Sequence, residues 1–164
     1  MSTYATVLSQ AAQDHPDHVF LRAVTADGSS AGITFRDLDD RTTAVSRALL
    51  AKGVRPGDRI AVASPNQAEW LDLMLGAARV GIITVTLNVR YREHELRHMI
   101  RQSGCRLVVS SAKAGDVDLE QLYDDMLPDL PSVEAVYFLG GTGPERRWGD
   151  LLALGAGFTD ALPT

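Results

Sequence analysis

Six consecutive residues, Ile82 to Leu87, are apolar or β-branched and carry no charge. They lie between two segments with helical periodicity. A short uncharged run in that setting is expected to form a strand covered on both faces, as in a parallel sheet with helices on either side. Three further runs are short and mostly apolar, each with one charged residue at or near its start: Arg59 to Ser64, Arg106 to Ser110 and Val133 to Leu139. Helical patterns separate all four. This alternation predicts an α/β fold, an open and mostly parallel sheet with helices on both faces.

The helical patterns can be placed from their ends. Thr3 to Asp14 reads as a helix with Val7, Leu8, Ala11 and Ala12 on one side. Thr34 is a good N-cap, and Asp37 follows at the reciprocal capping-box position. Leu38, Thr42, Val45 and Leu49 then recur with helical spacing, and Gly53 and Pro56 close that helix. Asn66 is the expected cap of the next helix, which presents Trp70, Leu73, Met74 and Ala77 and ends near Gly81. Arg92 to Ser103 is a helix stopped by Gly104. Asp116 to Leu127 is another, closed by Pro128 and Pro131, and Trp148 to Leu154 is a short last one. Before the sheet, Val19 to Thr25 and Gly32 to Thr34 read as strands joined by a turn at Asp27 and Gly28. Residues 140–164 read as a loop, the short helix and a loose tail.

Composition narrows the function classes. The chain has 164 residues and a net charge of −5. That balance argues against nonspecific nucleic-acid binding, which needs a basic surface. With one cysteine, Cys105, no disulfide can form within the chain, and a reducing, cytoplasmic setting is expected. No signal-peptide pattern opens the chain, and no apolar run approaches the ~20 residues of a membrane span.

Several clusters suggest chemistry. His94-Glu95-Leu96-Arg97-His98 fits H-E-x-x-H on a helix, the spacing of a zinc hydrolase, with Asp116, Asp118 or Glu120 as a third ligand. The competing reading is a solvated helix with a Glu93–Arg97 pair. Arg90, Arg92, Arg97, Arg101 and Arg106 form a cationic group that could meet phosphate or carboxylate, with an exposed helix face balanced by Glu93 and Glu95 as the favoured reading. Gly140 to Pro144 is glycine-rich but lacks the lysine of a phosphate loop. The acidic run Asp116, Asp118, Glu120, Asp124 and Asp125 lacks calcium-loop spacing. Cys105 opens an apolar strand, as a packed and inert thiol does. Ser64, Ser110 and Ser111 follow strands without a nucleophile elbow.

Six segments in order resemble the adenylate-forming, AMP-binding enzymes, the acyl-CoA synthetase superfamily. They are Ile33-Thr34-Phe35-Arg36-Asp37-Leu38, then Gly53-Val54 with Gly57-Asp58-Arg59, then Pro65-Asn66 with Glu69 and Trp70. Next come Leu75-Gly76-Ala77 with Gly81, then Asn88-Val89-Arg90 with Glu95-Leu96, then Trp148, Leu151, Leu152 and Gly155. The resemblance implies the N-terminal portion of an acyl-CoA synthetase domain. The full-length enzyme would join a carboxylic or fatty acid to ATP, with Mg²⁺, and pass the acyl group to coenzyme A. Glu95-Leu96 falls on the family's E-L pair, which makes His94 and His98 incidental. Arg92 departs from the family, which often has Thr or Ser there as a helix cap. The phosphate loop and later catalytic segments are absent, so the resemblance carries over no catalytic, cofactor-binding or metal residue. It implies a chain inactive by itself that self-associates through apolar surface left uncovered. The alternatives are the zinc hydrolase on His94, Glu95 and His98, and a non-catalytic binding or assembly module on the same scaffold.

Overall fold

The computed structural model describes residues 3–24 and 28–162; Thr25 and Asp27 of the expected first strand and turn lie outside them. The elements run α1 (Tyr4–Asp14), β1 (Val19–Val24), β2 (Ser30–Thr34), α2 (Phe35–Ala51), β3 (Arg59–Ala63), α3 (Ala68–Arg79), β4 (Ile83–Thr86) and α4 (Glu93–Ser103). They continue with β5 (Leu107–Ser111), β6 (Lys113–Ala114), β7 (Val117–Asp118), α5 (Leu119–Met126), β8 (Ala135–Leu139) and α6 (Trp148–Leu154). Four strands form a parallel sheet in the order β4-β3-β5-β8. Antiparallel hairpins β1-β2 and β6-β7 stand apart from it.

Strand alternation builds two cores. Ile60, Val62, Leu107, Val109, Tyr137 and Leu139 face α2, α3 and α6. Their neighbours Ala61, Ala63, Val108, Val136 and Phe138 face α4 and α5. Side chains two residues apart share a face, so each central strand must be apolar throughout. The expected open sheet with helices on both faces is therefore the observed fold.

Helix α2 is the best-determined element from sequence. Thr34 Oγ1 accepts the Asp37 N–H at 3.1 Å, and Asp37 accepts the Thr34 N–H at 2.9 Å. The Thr34 N–H and hydroxyl, both donating to the Asp37 carboxylate, hold that carboxyl below its ordinary pKa. Leu38, Thr42, Val45 and Leu49 are all buried. The chain leaves α2 through Gly53 at φ +95° and leaves α4 through Gly104 at φ +63°, the left-handed conformation that ends helices.

Four expectations are corrected. On α1 only Leu8 is buried; Val7 is 58% exposed, because the helix leans on α2 and α3 along a narrower stripe. The cap of α3 is Gln67 rather than Asn66 and makes no side-chain cap bond. Residues Asp116 and Asp118 are not in a helix: a turn at Gly115 and Asp116 forms the β6-β7 hairpin, and Asp118 then caps α5 by accepting the Gln121 N–H at 3.1 Å. Finally, β4 is not covered on both faces. It borders the sheet, and Ile83 is 47% exposed, while Ile82 and Leu87 at its ends are buried.

Beyond α6 the chain turns back onto α2. Gly155 is buried there, and Phe158 and Leu162 pack on the first core.

Candidate functional site

Strand order reverses between β3 and β5. The chain steps from β3 to β4 in one direction through α3, then from β4 to β5 and on to β8 in the other through α4 and α5. In such a sheet a crevice opens beyond the carboxyl ends of the two strands at the reversal, and ligands of open α/β sheets bind there. A groove of about 510 Å³ lies at this edge. Its walls are Pro65 after β3, residues 89–92 after β4, and Lys113, Ala114, Gly115, Val117 and Leu119 around the β6-β7 hairpin.

Three cations, Arg90, Arg92 and Lys113, line this groove, and no carboxylate does. Local folding presents each. Asn88 Oδ1 accepts the Arg90 N–H at 2.9 Å, and the Asn88 carbonyl accepts the Tyr91 N–H at 3.0 Å, which tightens the turn after β4. Arg92 takes the N-cap position of α4, and Glu95 accepts its backbone N–H at 2.9 Å. Lys113 sits on the short hairpin after β5. All three are exposed, and none forms an ion pair among the described residues. Like charges gathered without a counter-ion favour an anion, and phosphate is the anion that arginine and lysine hold best.

The five-arginine group seen in the sequence thus divides. Arg97 bonds Glu93 and Asp129, and Arg101 Nε donates to the Asp129 carbonyl at 3.0 Å. Arg106 clasps Glu134 and Asp58 at the opposite, amino end of the sheet, which pushes its own pKa up and that of Glu134 down. Only Arg90 and Arg92 reach the groove.

The H-E-x-x-H residues all lie on α4. His94, Glu95 and His98 are exposed, Glu95 serves the Arg92 cap, and Leu96 is the buried residue of that turn. Asp118 is occupied as the α5 cap. Glu120 accepts the Thr142 N–H at 3.2 Å and so fastens the Gly140–Pro144 loop to α5. Among the described residues no three His, Cys, Asp or Glu side chains converge on a possible metal position. Cys105 is fully buried, and burial raises its thiol pKa. Ser64 Oγ donates to the Pro65 carbonyl at 2.9 Å, and Ser110 Oγ donates to the Ser111 carbonyl at 3.0 Å. Tyr123 is buried with an unpartnered hydroxyl. Burial pushes its pKa up to about 12, only partly offset by the nearby Ser110 hydroxyl.

A second cavity of about 650 Å³ lies between the β1-β2 hairpin and the start of α3, lined by Leu21, Ala23, Ile33 and Trp70 with Arg41 at its margin. Arg41 bonds the buried Asp72 through Nε at 3.0 and 2.9 Å. Burial raises the Asp72 pKa while Arg41 opposes that rise.

The profile of the AMP-binding enzyme family matches residues 8–148. The chain belongs to this family. It is 33% identical over 127 residues to Acyl-CoA ligase SID4 of Ajellomyces capsulatus, covering 74% of this chain and 22% of that one. It is 28% identical over 151 residues to the salicyl-AMP ligase / salicyl-S-ArCP synthetase of Mycobacterium tuberculosis, covering 92% and 27%. Among solved structures it is similar to a long-chain-fatty-acid CoA ligase from Rhodopseudomonas palustris, with TM-score 0.76 and 30% identity over 92% of this chain and 36% of that one. The chain therefore spans about a quarter of these curated relatives.

Sequence reasoning named Arg90 and Arg92 but missed Lys113. A signal was available: Lys113 comes two residues after the parallel strand β5, where a polar residue lies at the carboxyl edge.

Proposed function

We propose that this chain is the N-terminal portion of an ATP-dependent acid–CoA ligase, and that its own contribution is a cationic groove for the phosphate-bearing end of a substrate. The observation that carries the reading is that Arg90, Arg92 and Lys113 line one groove at the strand reversal. Both ATP and coenzyme A carry phosphates of the right chemistry. The relatives' names divide between a CoA ligase and a carrier-protein synthetase, so the acyl acceptor and the acid are proposals at the level of class. Adenylation itself joins the acid carboxylate to the ATP α-phosphorus and expels pyrophosphate. It needs donors fixed on the developing charge, and the groove offers flexible surface cations instead. Magnesium, which the family implies, finds no converging carboxylates among the described residues, so no step is assigned to it here.

The chain alone is accordingly expected to release no pyrophosphate from ATP with any acid. A coupled pyrophosphate assay across aliphatic and aromatic acids checks this, and acyl-adenylate formation by these 164 residues overturns it. A companion proposal is self-association through the β1-β2 hairpin, where Phe20 is 46% and Val24 72% exposed on a two-stranded sheet. Such a sheet is marginal alone and presents unpaired strand edges. Light scattering should give a mass above that of one chain, and a clean monomer at all concentrations sinks the idea.

A further inference from the structure

A third and smaller core lies off the sheet. Leu8 of α1, Ile33 of β2 and Leu38 of α2 are buried together, with Leu21 and Ala68 packed against them. One side of this core is open: Leu21, Ile33 and Ala68 are also walls of the cavity of about 650 Å³ between the hairpin and α3. The strand register pairs Leu21 with Ile33 and Ala23 with Ala31, so four apolar side chains share one face of the hairpin. Trp70 of α3 lines the same space while packing against the first core. Apolar walls left in water are a cost that an apolar occupant removes. The volume falls within the ~300–1,000 Å³ of small-molecule sites.

One polar group is fixed at the margin. Arg41 is clasped by Asp72 through Nε and Nη2, which leaves Nη1 without a hydrogen bond among the described residues. Asp72 is buried, so the guanidinium is held in place before any ligand arrives. A guanidinium only donates, and Nη1 therefore calls for an acceptor. Charge decides which acceptor. Among the described residues, Arg22, Arg41 and Glu69 are the charged side chains lining the cavity, and Asp72 is paired with Arg41. Glu69 acts electrostatically on both Arg41 and Asp72. Positive and negative groups cancel. An anionic head drawn to Arg41 meets Glu69 and Asp72, and a cationic head drawn to Glu69 meets Arg41.

We propose that this cavity is a binding site for an uncharged, planar aromatic compound with one hydrogen-bond acceptor, its ring against Trp70 and the hairpin and its acceptor on Arg41. The proposal is independent of the phosphate reading of the groove, because the two cavities share no lining residue among those described.

The test is a titration of the isotope-labelled full chain, followed by NMR, with acetylnaphthalene, ethylnaphthalene, naphthoate and naphthylmethylamine. Acetylnaphthalene should bind saturably with a dissociation constant of about 1 mM or below, as suits a ligand of that size. It should move the backbone amides of residues 21–24 and 66–71. Ethylnaphthalene, which lacks the acceptor, and the two charged probes should bind about fivefold more weakly. Arg41→Lys keeps a cation for Asp72 but removes the fork, and should bring acetylnaphthalene to within about twofold of ethylnaphthalene. Ala23→Ile fills the cavity from a strand position and should abolish the shifts. Equal binding of naphthoate and acetylnaphthalene overturns the neutral-ligand assignment. Absence of saturable shifts at those amides, or binding unchanged in Ala23→Ile, overturns the site. If the same amides shift on dilution of the chain instead, a second copy occupies the cavity and the ligand proposal is wrong.

Discussion

Replacing Gly76 with alanine is expected to destabilise the chain by about 3 kcal/mol, the upper part of the range for overpacking a close helix contact. A Cβ at Gly76 would lie 2.7 Å from Val45 Cβ and 2.8 Å from the Thr42 carbonyl oxygen. Neither can yield cheaply. Val45 is buried in the first core between α2 and the sheet, and the Thr42 carbonyl is backbone. The same approach is sealed by Ser46 Oγ, which donates to the Gly76 carbonyl at 2.7 Å and to the Thr42 carbonyl at 2.9 Å. One added methyl must therefore separate α2 from α3, two of the helices that cover one face of the sheet. Urea unfolding followed by far-UV circular dichroism measures the loss. An unfolding free energy within about 0.5 kcal/mol of wild type would show that the helices slide apart without cost. Alanine at the exposed Gly149, where a Cβ meets nothing within 4 Å, is the matched control.

Removal of Arg41 has a comparable effect with a pH signature. Asp72 is 3% exposed, and Arg41 is its ion-pair partner. Arg41→Leu leaves the carboxylate buried and unpaired. Breaking a fully buried pair costs about 3–5 kcal/mol. Arg41 keeps 38% of its side chain in water, so the screened cost is about 2 kcal/mol at pH 7. The sign of the pH dependence follows from Asp72. Burial raises its folded pKa, and Arg41 is the group that opposes the rise. Without Arg41 the folded pKa goes higher still, so the folded form binds a proton that the unfolded chain, with an Asp pKa of about 3.9, has released. Stability then falls as pH rises through that window. The variant should recover stability as the solution is taken from pH 7 toward pH 4, by more than the wild-type chain changes. Equal pH slopes for the two proteins would refute the argument. Adding Asp72→Asn to Arg41→Leu should remove most of the extra slope.

Both effects arise from packing that no local pattern announces. Gly76 entered the sequence reading only within Leu75-Gly76-Ala77, and Asp72 not at all. The helical face read from Trp70, Leu73, Met74 and Ala77 was right for Leu73 and Ala77, which are fully buried. It could not show that α2 crosses α3 closely enough to exclude a methyl group, or that a carboxylate would be carried under Arg41. Both depend on which helix packs on which.

The same boundary runs through the candidate site. Strand and helix succession could be read because the periodicities of 2 and 3.6 residues are local properties of the chain. Thr34 and Asp37 predicted their own cap for the same reason: the bonds span three residues. The error at β4 is of the opposite kind. Ile82 to Leu87 has the composition of a central strand, yet strand order is set by how helices cross over, and the order β4-β3-β5-β8 puts it at the border. That order also creates the groove.

The sequence by itself determined the α/β class, the principal α2 helix and the kinship with AMP-binding enzymes. Each rests on residues near one another in the chain. Only the tertiary structure decided that Arg90 and Arg92 meet Lys113 while Arg97, Arg101 and Arg106 are held in bonds elsewhere. Charge in a sequence gives no address. A cation acts on a ligand or on its own fold according to which carboxylates packing brings within reach, and apart from Glu93, one helical turn from Arg97, those came from Asp58, Asp129 and Glu134, distant in the chain and adjacent in the fold.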